Sequence, residues 1–220
     1  TLEMEKKYIS KVDKSTKIIF RTTDNQFIET ISMIYGYRHT VCISSQVGCS
    51  LDCSFCETGR MGLKRNLSTG ELVDQLIFVR GHNKQPITNV VFMGMGEPFH
   101  NYNNVINAAD IFHSPRGFNL AATRITISTV GILPKIQQFI KEKQRYKLAI
   151  SLNAADDVSR TEIMPINKKW SIKDLIRAGK EYSNLKKRQV MFEYVLLKDI
   201  NDSEDDAYKL AHLLQGIPCK

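Results

Sequence analysis

Cys49-Ser-Leu-Asp-Cys53-Ser-Phe-Cys56 carries three cysteines at offsets of four and three. Thiolates are soft ligands that suit zinc or iron–sulfur clusters. Structural zinc takes four protein ligands, and no fourth ligand lies nearby in the sequence. Three thiolates suffice for a 4Fe–4S cluster that keeps one iron open. A zinc clip and unligated core thiols remain as alternatives at this point. The stretch directly before the loop, His39 to Gln46, is rich in β-forming residues, so the loop is expected at the carboxyl end of a strand.

Outward from the loop the chain becomes rhythmic. Ser68-Thr-Gly-Glu71 is a capping box that starts a helix with Leu72, Leu76 and Val79 on one face. Strands are expected at 89–95, 124–130, 147–153 and 189–197. Helices are expected at 103–112, 132–143, 171–182 and from Ser203 to the Gly216 stop. Strands alternating with helices predict an α/β fold with a parallel sheet. Right-handed crossovers curl such a sheet toward a partial βα barrel of about five parallel strands, with a sixth missing. Ahead of it, Lys17–Thr22 and Phe27–Met33 read as a small antiparallel segment turning at Asp24-Asn25. The expected division is a β extension over 1–37 and a core domain over 38–220.

The chain has 220 residues, 42% of them hydrophobic and 25% charged, within the ordinary range of globular proteins. No apolar run is long enough for a membrane span, and the charged N-terminus does not read as a secretory signal. Five cysteines, three of them clustered, fit a reducing compartment and metal binding better than a disulfide framework. A cytoplasmic monomer is the expectation. The net charge of +8 is uneven: Lys168–Arg188 holds eight basic residues against two acidic, and Lys135–Lys147 holds five against one. Such surpluses suit a polyanion or merely solvated helix faces.

Chemistry in barrels of this kind gathers at the carboxyl ends of strands. There the sequence has the cysteine loop, Gly94-Met-Gly96-Glu97-Pro98, Ser128-Thr-Val-Gly131 and Ser151-Leu152-Asn153. Glycines admit close approach of a ligand, Glu97 suits an ammonium group, and hydroxyls suit a ribose or a carboxylate. An open iron chelates an amine and a carboxylate together, and S-adenosylmethionine carries both.

The succession VCISSQVGCSLDCSFC, GLKRNLS, VVFMGMGEP and MPINKK closely resembles the RlmN/Cfr group of radical S-adenosylmethionine RNA methyltransferases, from about Glu29 onward. The resemblance implies a 4Fe–4S cluster on Cys49, Cys53 and Cys56. It implies S-adenosylmethionine contacts at Gly96, Glu97, Ser128, Ser151, Leu152 and Asn153, the last replacing the histidine usual in the family. Glu29 matches the family's proton acceptor, and Cys42 a thiol that forms a disulfide during turnover. The implied reaction places a methyl group on carbon 2 of adenine in 23S ribosomal RNA and some transfer RNAs, by way of a methylated cysteine. The implied partners are RNA and an electron donor such as flavodoxin. The family pattern continues beyond Lys220 into a sixth strand and that cysteine, and it has a helical domain ahead of the core. Cys219 does not match the methyl-carrying cysteine. A carbon 8 methyltransferase of the Cfr type, another radical enzyme and a non-catalytic iron–sulfur or RNA-binding remnant are the competing readings.

Overall fold

The computed structural model describes residues 1–220. Ten strands and seven helices follow one another in the order β1 (Glu3–Ile9), β2 (Thr16–Arg21), β3 (Phe27–Tyr35), β4 (Arg38–Ile43), β5 (Gln46–Val47), α1 (Glu57–Arg60), β6 (Arg65–Asn66), α2 (Thr69–Gly81), β7 (Asn89–Phe92), α3 (Tyr102–His113), β8 (Ile125–Thr129), α4 (Leu133–Lys141), β9 (Lys147–Ser151), α5 (Asp157–Ile163), α6 (Ile172–Lys186), β10 (Met191–Glu193) and α7 (Glu204–Leu213). Eight strands form one open sheet in the order β1-β2-β3-β4-β7-β8-β9-β10, while β5 and β6 form a small separate ribbon. Strands β1 to β4 pair antiparallel. Strands β4, β7, β8, β9 and β10 pair parallel, which makes the expected five. The ladder runs unbroken from β3 to β4 through the boundary at residue 37.

Register explains how one sheet has two characters. Directly paired residues share a face, and neighbours along a strand alternate. Ile18, Phe20, Ile28, Val41, Ile43, Val90, Phe92, Ile125, Ile127, Leu148 and Ile150 are buried on the helix-covered face. Phe78 of α2 packs edge-on against Phe20, and Phe112 of α3 lies against Phe92. The opposite, inner face carries Glu29, Cys42, Thr126, Ser128, Ser151 and Glu193. The helix-covered face is thus mainly apolar, and the inner face mixes these polar residues with Ile31, Val91 and Ala149.

Local signals set the helix boundaries. Ser68 accepts from Glu71 N while the Glu71 carboxylate accepts from Ser68 N, which closes the capping box of α2. Ser171 and Ser203 cap α6 and α7, each accepting from the third residue on, and Ser203 closes a second capping box with Asp206. No helix is long and apolar enough to cross a membrane.

Three sequence expectations need correction. A strand, β1, precedes the expected first one, although every residue in it is exposed. Its alternation is hidden because its partner β2 supplies the pairing, with a bulge between Met4 and Lys6. Strand β10 has three residues rather than nine. After Glu193 the backbone is captured by side chains: Val195 N donates to Asn153 Oδ1 (2.9 Å) and Leu197 N to Asn201 Oδ1 (2.6 Å). Nor is the outer edge of β10 bare. Val190 N donates to Pro218 O (3.2 Å), Lys220 N to Val190 O (2.9 Å) and Phe192 N to Lys220 O (2.8 Å). Pro218–Lys220 thus opens a sixth parallel position.

Candidate active site

The cysteine loop is held by the loop after β7. Ser45 N and Gln46 N both donate to Met95 O, at 2.8 and 3.1 Å, and Met95 N donates to Ser44 Oγ at 3.0 Å. Gln46 Oε1 accepts from Glu97 N at 2.8 Å. This close crossing explains the glycines of GMGEP, which also line the cavity described next. A Cβ on Gly94 would lie 2.8 Å from the Ile43 carbonyl, and one on Gly96, at φ +95°, would lie 2.4 Å from the Gln46 side chain. Chain-to-chain packing demands both residues.

Cys49, Cys53 and Cys56 line one cavity of about 270 Å³ with Gly96, Glu97, Ser128, Ser151 and Asn153. Residues expected from four separate strand ends are brought to one place. Phe55, Met164 and Val195 supply apolar wall, and Glu193 adds a carboxylate that the sequence reading did not name. Leu152, an expected contact, is fully buried and does not line the cavity. Its N–H donates to Glu193 O and its carbonyl accepts from Arg160 Nε, both at 2.9 Å. Asn153 sits at φ +57°, where asparagine is tolerated, and its own carbonyl accepts from Asn201 Nδ2 at 2.7 Å.

Burial pushes the Cys53 thiol up to about 12, with the neighbouring Cys56, Cys49 and Glu97 adding to the shift. Burial likewise raises Cys49. Glu97 is 2% exposed, and burial pushes its carboxyl up to about 7. Its oxygens accept from Phe99 N and Val130 N, each at 2.9 Å, and no cationic side chain forms an ion pair with it.

Arg160, 1% exposed, stands behind the cavity wall. It donates to Leu152 O (2.9 Å), Val130 O (2.6 Å), Ser151 O (2.9 Å) and Asn167 Oδ1 (2.9 Å). Burial lowers its guanidinium to about 10. Val130 therefore has its N–H on Glu97 and its carbonyl on Arg160. Arg160 lies in α5, a helix that sequence reasoning did not expect.

Glu29 and Cys42 lie outside this cavity. Glu29 is half-exposed on β3, pairs with Lys17 Nζ at 3.1 Å and lines a separate depression with Tyr8, Ser10 and Ile31. Cys42 lies between Ile31 and Val91, and burial pushes its thiol up to about 11. The two are diagonal neighbours on the inner face, roughly 7–8 Å apart by strand geometry. Cys219 pairs with Val190 ahead of β10, at the end of the sheet away from the three-thiol cavity.

The pattern of the radical SAM superfamily matches residues 43–211. The chain belongs to that superfamily. Named relatives include the probable dual-specificity RNA methyltransferase RlmN of Fervidobacterium nodosum, 45% identical over 209 residues. That match covers 95% of this chain and 60% of the relative. Dual-specificity RNA methyltransferase RlmN 2 of Myxococcus xanthus is 45% identical over 216 residues, covering 94% and 57%. A crystal structure of a radical SAM methyltransferase from Sphaerobacter thermophilus superposes with a TM-score of 0.93 at 43% identity, covering 99% of this chain and 65% of that one. Spore photoproduct lyase, at 13% identity and a TM-score of 0.57, shares the fold alone. The chain spans about three-fifths of the length of the RlmN relatives.

Radical SAM proteins use a 4Fe–4S cluster and S-adenosylmethionine, and the donor set here fits both. The three thiols share one loop and one cavity wall, beside the Glu97 carboxylate. Crowded buried thiols that resist ionisation need a strongly cationic partner to become thiolates. Glu97, buried without a counter-ion, suits the ammonium group of S-adenosylmethionine in the same cavity.

Proposed function

We propose that this radical SAM core belongs to an RNA methyltransferase that acts on carbon 2 of adenine in ribosomal RNA and some transfer RNAs. The observation that carries the reading is the 45% identity to proteins named RlmN over nearly the whole chain, cysteine cavity included. The partners it requires are an RNA and an electron donor such as flavodoxin.

When bound, the cluster and S-adenosylmethionine supply one-electron cleavage of a carbon–sulfur bond; the protein's part is to bind, orient and shield. Cys49, Cys53 and Cys56 anchor the cluster. Glu97 accepts from the ammonium group while the Phe99 and Val130 amides hold its two oxygens in place. Ser128, Ser151 and Asn153 form the polar wall. Phe55, Met164 and Val195 keep water from the reacting region. Burial keeps Cys42 a neutral thiol at rest, so its use as a nucleophile requires a base. Glu29 is the carboxylate we assign to proton transfer. Its present partner is Lys17 Nζ, 3.2 and 3.1 Å from its two oxygens.

Anaerobic reconstitution followed by iron and sulfide analysis tests the cofactor assignment. The expected result is one 4Fe–4S cluster, lost in Cys53→Ala. Stoichiometric zinc without sulfide would refute it. Mass spectrometry of ribosomal RNA treated with reductant, S-adenosylmethionine and this core in a chain that also carries the methyl-bearing cysteine tests the reaction. The product expected is 2-methyladenosine, and 8-methyladenosine would move the protein to the other branch.

A further inference from the structure

The mechanism leaves most of the positive charge unused. Both basic segments of the sequence, 135–147 and 168–188, end at the amino-terminal mouth of the parallel sheet, opposite the cofactor cavity. Arg38 opens β4, Lys147 opens β9, and Arg124 immediately precedes β8. Arg188 lies shortly before β10 and donates to the Arg145 carbonyl at 2.8 Å. Lys220 pairs beside Val190 and Phe192 at the sheet's edge. Arg38, Arg124, Arg145, Arg188 and Lys220 are exposed, and Lys147 is half-buried.

None of these six forms an ion pair. Two acids on neighbouring elements are engaged elsewhere: Glu142 accepts from Tyr102 Oη at 2.5 Å, and Asp110 accepts from Tyr146 Oη. Burial lowers the Lys147 ammonium, with Lys220, Arg124, Arg38 and Arg188 adding to the shift, so the cations are near enough to repel one another. The carboxyl ends of α4 and α6 attract cations by their dipoles, which accounts for Arg145 and Arg188. It does not account for Arg38, Arg124, Lys147 or Lys220, which come from strand starts and the sheet edge. A like-charge cluster of six residues from five chain segments raises the free energy of the folded protein unless an anion meets it.

We propose that this amino-terminal end of the barrel docks the phosphate backbone of a folded RNA. The proposal rests on the RNA methyltransferase reading and deepens it. A five-residue strand separates the two ends by roughly 17 Å. A short single strand in the cavity does not reach the basic end, whereas a folded RNA engaging the barrel does. The surface should therefore distinguish RNAs by size and shape and carry no base specificity.

The test compares the wild-type protein with Arg124→Gln/Arg188→Gln/Lys220→Gln. All three side chains are exposed, so the fold should persist, which circular dichroism checks. Anisotropy of labelled unmodified transfer RNA and of a short adenosine-containing single strand is followed across a salt series. Each lost phosphate contact removes about 0.7–0.9 from the slope of log affinity against log salt. The triple variant should lose about two units of slope and about tenfold in affinity for transfer RNA at physiological salt. Binding of the short strand should not change. Arg124→Lys/Arg188→Lys should keep both slopes. Unchanged affinity and slope for transfer RNA in the triple variant would overturn the proposal while leaving the methyltransferase reading intact. Absence of RNA binding by the wild type would overturn both. Loss of binding to anionic phospholipid vesicles with the RNA slope unchanged would assign the surface to a membrane and overturn the proposal.

Discussion

Val130 shows at single-residue resolution how the site is made rigid. Its N–H is held by a buried carboxylate and its carbonyl by a buried guanidinium, yet Glu97 and Arg160 do not pair with each other. Each charge is stabilised by peptide groups, which leaves the Glu97 charge free for a cationic ligand. Burial raises the Glu97 carboxyl from 4.5 in the unfolded chain to about 7. Between those values the folded state binds the extra proton, so the metal-free protein should lose stability as pH rises from about 4.5 to about 7. Thermal melts across that window check this, and Glu97→Gln should flatten the dependence. Glu97→Gln should also weaken S-adenosylmethionine binding about tenfold, since a charge-assisted hydrogen bond contributes about 1.5–3 kcal/mol; calorimetry on the reconstituted protein measures it. Arg160→Met would leave the Leu152, Val130 and Ser151 carbonyls unpaired, at about 1–3 kcal/mol for each buried group. We expect a loss of at least 3 kcal/mol in urea unfolding, with Arg160→Lys recovering part of it.

Among the elements, the crossing of the β4 and β7 loops is the least tolerant of change. Gly94→Ala would place a methyl 2.8 Å from the backbone at Ile43 and Ser44. Backbone cannot yield as a flexible side chain can, so the expected cost is about 1–3 kcal/mol. Iron uptake should fall as well, because that loop holds the cysteine loop through Met95. Denaturant titration and iron analysis separate the two effects. The capping box of α2 provides a milder comparison: Ser68→Ala should cost about 1 kcal/mol without loss of iron. Five of the seven helices were legible because capping and periodicity act within one turn, while the short α1 and α5 were not expected. The β1 strand and the true end of β10 were not, because a strand is decided by what lies beside it. β1 has every residue exposed and is a strand because β2 offers its edge.

For the whole molecule, the cysteine loop and the hydrophobic core are one structure. Cys49, Leu51 and Cys53 pack into the core cluster with Val47, Met95 and Ile163. Anything bound to those thiols stabilises the native state by mass action, so a chelator should act as a mild denaturant. The melting temperature of reconstituted protein should fall on anaerobic iron removal and return on reconstitution. An identical melting temperature with and without iron would mean that the loop is set by packing alone.

By itself, the sequence determined the five parallel strands, five of the seven helices and the three-cysteine loop at a strand end. These follow from alternation, caps and ligand spacing, which act over a few residues. Tertiary structure alone decided what those pieces meet. It packed the glycines of GMGEP into a chain crossing at the cavity wall, removed Leu152 from the cavity and set Glu29 on a different depression. It brought Arg160 behind the wall and gathered cations from five segments at one end. Burial and charge proximity depend on contacts between residues distant in the chain, and no local pattern encodes them.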